Sequence, residues 1–115
     1  MLLKSAGLVD VLRDALKPLA AKIALAFVYG SIASGQERSE SDIDLMVIGS
    51  LSPADMALPL RRAREQLGRD INPSVYSVTE FNRKRAAKDH FLSEVLTGPR
   101  LSVLGSENDL GKAAR

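Results

Sequence analysis

Asp42 and Asp44 stand two residues apart in the segment Asp42-Ile-Asp-Leu-Met-Val-Ile48. In extended backbone, residues i and i+2 project to one face, so the two carboxylates lie side by side while Ile43 and Leu45 turn the other way. Like charges this close raise each other's pKa and oppose folding unless donors or a cation compensate. A hard divalent ion is the natural third party, and Mg²⁺ leads the candidates. Earlier in the chain, the apolar run Ile23-Ala-Leu-Ala-Phe-Val-Tyr29 ends in Gly30-Ser31. Glycine there permits close backbone approach. The amides that follow and the Ser31 hydroxyl can donate to phosphate oxygens, helped by a helix N-terminus if residues 31–34 turn helical. A phosphate cradle facing metal ligands is a site for a nucleoside triphosphate.

The remaining residue types narrow the chemistry. The chain has no cysteine, which removes disulfides, thiolate metal sites and cysteine nucleophiles. A metal is then held by oxygen ligands or by His90, the single histidine. His90 reads as a helix-cap or surface residue, and Tyr29 and Tyr76 read as packing residues rather than acceptors. The formal charge is only +2, although Arg61, Arg62 and Arg64 form one basic cluster and Arg83, Lys84 and Arg85 another. Both read as solvated helix faces. Nucleic acid becomes a partner only if the two converge on one surface, and aromatic residues for base stacking are 4% of the chain. No apolar run is long enough to cross a bilayer and the N-terminus lacks a signal-peptide layout, so a cytoplasmic protein without a membrane partner is expected.

Two adjacent strands must position the carboxylates and the Gly-Ser turn. With 115 residues, 45% hydrophobic and 26% charged, the chain suits a single domain, 1–115. Residues 1–20 hold an amphipathic helix with Val9, Leu12, Leu16 and Leu19 on one stripe, ended or kinked at Pro18. That face could pack on its own sheet or on a second copy in a homodimer. Ile23–Tyr29 reads as a buried central strand, residues 31–41 as a short helical turn and exposed loop, and Asp42–Ile48 as a second strand. Ser52 and Pro53 open a helix whose apolar face is Met56, Leu60, Ala63 and Leu67, with Pro59 predicting a kink or two pieces and Gly68 supplying the stop. Ile71–Val78 reads as a third strand, at an edge or just starting at Pro73. Thr79 is placed as the cap of a helix through Lys88, His90–Leu96 as another short helix, and Leu101–Leu104 as a fourth strand. The polar residues 106–115 are expected to fray. The fold class is α/β in the broad sense (α+β), a mixed sheet of about four strands with helices packed on it.

At Phe27-Val-Tyr-Gly-Ser31, Ala33-Ser-Gly35 and Ser41-Asp-Ile-Asp-Leu-Met46 the sequence resembles the minimal nucleotidyltransferase family of the DNA polymerase β superfamily. Its signature is an apolar strand, Gly-Ser, a loop, and Asp-x-Asp in the next strand. Ile71-Asn-Pro-Ser-Val-Tyr-Ser77, Glu80-Phe81, Phe91-Leu-Ser-Glu-Val-Leu96 and Leu101-Ser-Val-Leu-Gly105 look like a subgroup often fused behind a winged-helix DNA-binding domain, a module not expected here. The resemblance implies the nucleotidyltransferase fold and transfer of NMP, usually AMP from ATP, to a hydroxyl of a protein or small molecule, with release of pyrophosphate. It implies Asp42 and Asp44 as catalytic ligands of two Mg²⁺ ions, and Gly30, Ser31 and Ser41 as nucleotide-binding residues. It also implies an HEPN-family protein as partner, in some cases a toxin modified by an antitoxin of this type. The sequence departs from the pattern in two respects. The third carboxylate aligns with Asn72, a neutral amide that is a poor Mg²⁺ ligand and no base, with Asp70 and Glu80 flanking the strand as substitutes. The arginines common beside the Gly-Ser step are replaced by Ile32 and Ser34. An active transferase and a catalytically silent nucleotide-binding or regulatory module are therefore both on the table, and Asn72 separates them.

Overall fold

The computed structural model describes residues 5–30 and 42–105. Helix α1, Ser5–Leu16, leads through a 3₁₀ turn at Lys17–Lys22 into strand β1, Ile23–Tyr29. Strand β2 follows at Ile43–Gly49, then α2 at Pro53–Leu67, β3 at Ile71–Tyr76, α3 at Val78–Ala86, α4 at His90–Thr97 and β4 at Leu101–Gly105. The sheet is mixed, ordered β3-β2-β1-β4. β1 is antiparallel to β2 and to β4, whereas β2 and β3 run parallel. The expected α+β architecture is present, and β1 and β2 are the two central strands.

Alternation along the strands divides the apolar residues between two layers. Ala26, Val28, Ile43, Leu45, Val47 and Ile71 face α1 and α2, where Leu8, Leu12, Leu16, Met56, Leu60 and Ala63 close over them. Leu25, Phe27, Met46 and Ile48 face the other way, against Phe81 of α3 and Leu92 and Val95 of α4. The buried stripe of α1 is Leu8, Val11, Leu12 and Leu16, with Val9 and Leu19 only partly covered. Leu19, in the 3₁₀ turn that follows the end of the α-helix at Leu16, still packs against this layer. The apolar face of α1 thus packs on its own sheet.

Several boundaries correct the sequence reading. Of the expected kink or two pieces at Pro59, the second is excluded, because α2 runs through the proline as one helix. Proline withholds its hydrogen bond from the carbonyl of Asp55, an exposed residue in the first turn of the helix. The cap of α3 is Ser77, whose Oγ accepts from the Glu80 amide at 3.0 Å, and not Thr79. That helix stops at Ala86 and not Lys88. Lys88 takes a left-handed φ of 58°, its amide donating to the Arg85 carbonyl at 3.1 Å and that of Asp89 to the Lys84 carbonyl at 3.0 Å. Those bonds form a Schellman stop.

The margins of the sheet are tied down by side chains. The Ile43 amide donates to the Asp70 carbonyl at 2.9 Å, so parallel alternation turns the backbone groups of Ile71 and Pro73 outward from β2. Arg64 Nη2 donates to the outward Ile71 carbonyl at 2.7 Å, and Pro73 has no amide hydrogen to offer. On the opposite margin, Arg13 Nε donates to the Val103 carbonyl at 2.9 Å. Among the described residues no helix is long and apolar enough to cross a membrane.

Candidate functional site

The ladder places Tyr29 opposite Asp44 and Asp44 opposite Asn72, so one row of three residues crosses β1, β2 and β3. All three point to the face of α3 and α4, as does Asp42 two residues before Asp44. Apolar side chains fill this face further along the strands, and its polar end is left to the carboxylates. Asp42 and Asn72 are exposed and Asp44 half-buried. Asn72 Nδ2 donates to Asp42 Oδ2 at 3.2 Å. Burial pushes the Asp44 carboxyl above the usual carboxylate range, the Asn72 amide pulls it back, and the charge of Asp42 adds to the rise. Two carboxylates on one face, one of them costly to ionise, form a donor set that suits a hard cation.

Gly30 closes β1 beside this pair with φ at +79°. A Cβ there would lie 2.6 Å from Asp44 Oδ2, so only glycine allows both the left-handed turn and this approach. Ser31 and Ser41, the hydroxyls assigned to the nucleotide, lie outside the described residues, as do the turn and loop expected at 31–41 and the tail at 106–115. The flanking carboxylates do not replace the missing one. Among the described residues no three His, Asp or Glu side chains come together in a metal-sized group.

The surroundings add residues that spacing did not reveal. Tyr29 packs as expected, edge to face with Phe27 at 6.2 Å and with Phe91 at 5.9 Å between ring centroids. Its hydroxyl also reaches across β2 to Ser74 Oγ at 3.5 Å. Burial raises the Tyr29 phenol, the Ser74 contact opposes this, and the Asp44 charge raises it further. Phe91, 39% exposed, forms an aromatic flank at the open end of the row. Ser74 and Phe91 carry no local signal, because each meets Tyr29 only through the pairing of distant segments. His90 is a surface residue, its Nε2 lying 3.2 Å from Glu94 Oε1. The basic clusters do not converge: α2 carries one and α3 the other, on opposite faces of the sheet.

The family model described as "Polymerase beta, Nucleotidyltransferase" matches residues 12–98. No curated protein matches the sequence. Among solved structures, the fold is similar to a chain of a toxin–antitoxin crystal structure with AMP-PNP, at a TM-score of 0.63 and 17% identity over 92% of this chain and 80% of that one. It is similar to a chain of the complex between tri-AMPylated HEPN toxin and MNT antitoxin of Shewanella oneidensis, at a TM-score of 0.61 and 17% identity over 96% and 80%. A further Shewanella oneidensis structure matches at a TM-score of 0.56 and 18% identity over 92% and 77%. At such identities the likeness is one of fold.

Proposed function

The chain belongs to the polymerase β nucleotidyltransferase family, and from that premise we propose that it binds ATP with Mg²⁺ at the Gly30, Asp42 and Asp44 constellation and transfers AMP to a hydroxyl. The observation that carries this reading is the Asp42/Asp44 pair, set on one face beside a glycine whose missing side chain leaves room for the Asp44 carboxylate. Asp42 and Asp44 would hold the ion, and Mg²⁺ when bound neutralises charge on the phosphates and on the departing group. Gly30 keeps the turn against Asp44, Asn72 orients Asp42, and Tyr29 with Phe91 walls one side of the row. In the transfer, an acceptor oxygen forms a bond to the α-phosphorus, the bridge to the β-phosphate breaks, and pyrophosphate leaves. Asn72 cannot take up the acceptor's proton, which passes to solvent or to the partner.

The protein partner we propose is of the HEPN type. Support comes from solved structures of the same fold, whose names include an HEPN toxin carrying AMP with an MNT antitoxin. A second reading, a module that binds the nucleotide without turnover, is favoured by Asn72 where the family resemblance implies a carboxylate.

The test is incubation with α-labelled ATP, Mg²⁺ and the product of the neighbouring gene, with Asp44→Ala as control. Label on the partner that disappears in the variant supports transfer. Nucleotide binding with neither label nor pyrophosphate release supports the silent module, and recovery of transfer by Asn72→Asp identifies the cause. Absence of nucleotide binding in the presence of Mg²⁺ rejects both.

A further inference from the structure

We propose that the Asp42, Asp44 and Asn72 row is a one-ion site, in which Asn72 occupies with amide hydrogens the place where a second divalent cation would need an oxygen. The inference rests on reading the row as the site of a nucleotide and its metal. It goes beyond that reading by fixing the number of ions that this row of three residues can hold.

Three observations lead there. Asn72 is in register with Asp44 and hydrogen-bonded to Asp42 at 3.2 Å, so it touches both sides of the carboxylate pair. The direction of that bond is set by chemistry, since an ionised carboxylate only accepts and the amide must therefore turn its NH₂ end toward Asp42. An amide nitrogen offers no lone pair to a hard cation, and with Nδ2 directed at Asp42 the amide oxygen is turned away from that carboxylate. Finally, no third His, Asp or Glu joins the pair among the described residues. Two carboxylates balance one doubly charged ion. A second ion would meet donor hydrogens and find no further negative charge from these strands.

Asn72 therefore does part of a cation's work. It relieves the repulsion between Asp42 and Asp44 and keeps Asp42 turned toward its neighbour, without adding charge. Replacing it by aspartate removes the donor and supplies a third carboxylate on the same row, which opens a second ion position.

The experiment counts bound Mn²⁺ by electron paramagnetic resonance on the full chain, alone and with a non-hydrolysable ATP analogue. The wild type should saturate at one Mn²⁺ per chain in both arms, and Asp44→Asn should lose that ion in the arm without nucleotide. With the analogue, Asn72→Asp should bind two. Asn72→Ala should keep a count of one with about tenfold weaker affinity, as expected when a group that orients a ligand is lost. Should Asn72→Asp fail to fold, the counts for wild type and Asn72→Ala still decide. Two ions on the wild type overturn the proposal while leaving nucleotide binding intact. One ion without binding of the analogue upholds the proposal and removes the nucleotide reading, and no ion in either arm overturns both.

Discussion

At the scale of single residues, the site is governed by one missing side chain and one crowded charge. In Gly30→Ala, the new methyl group would sit 2.6 Å from Asp44 Oδ2 on a backbone already at φ +79°. Strain of this kind costs about 1–3 kcal/mol, so the urea midpoint should fall and Mn²⁺ binding should weaken as Asp44 is displaced. Asp44 itself gives the pH dependence. Burial holds its folded-state pKa above the ordinary carboxylate value, so the native protein binds the proton more readily than the unfolded chain. Its contribution to stability is complete below the ordinary value and is lost as pH rises through the raised one. Asp44→Asn should flatten that segment of the pH–stability curve and raise the thermal midpoint of the ligand-free protein at pH 7. An unchanged profile would show that the carboxylate is not strained. The carboxylates and Gly30 were legible from spacing alone, since a period of two and a terminal glycine are local signals. Ser74 and Phe91 were not, because their place beside Tyr29 depends on which strands and helices become neighbours.

At the scale of elements, local chemistry set starts and stops more reliably than residue preference. Ile23–Tyr29 was readable to the residue, being a continuous apolar run closed by glycine. The α3 boundaries were not, because Ser77 and Thr79 are both competent caps and only the Ser77 hydroxyl meets a free amide. Its C-terminus is less expected still, as nothing in Ala86-Ala87-Lys88-Asp89 announces a left-handed residue. Lys88 bears that conformation at a cost of about 1–2 kcal/mol relative to the right-handed one. Lys88→Gly should therefore raise stability by about 1 kcal/mol in chemical denaturation without disturbing cation binding. A fall in stability would mean that the lysine side chain contributes more than its backbone loses. Pro59 teaches the complementary lesson: a proline within a helical pattern does not by itself end the helix, and the residue whose carbonyl loses its bond here, Asp55, is exposed.

At the scale of the whole molecule, the division into two apolar layers settles what the charge pattern could not. Arg61, Arg62 and Arg64 travel with α2, and Arg83, Lys84 and Arg85 with α3, so the sheet stands between them. Sequence periodicity marks a helix's polar face but not the side of the sheet on which the helix will lie. The sheet margins carry a further consequence. A strand offered by another molecule would need an unbroken run of outward amides and carbonyls to pair with. At β3 it meets an Ile71 carbonyl already taken by Arg64 and a proline with no donor, and at β4 a Val103 carbonyl taken by Arg13. Pro73→Val combined with Arg64→Met should unblock the first margin, and the double variant should form thioflavin-positive aggregates at concentrations where the wild type stays monodisperse by light scattering. Along the described residues these contacts interrupt both margins, which disfavours extension of the sheet by a strand from another molecule.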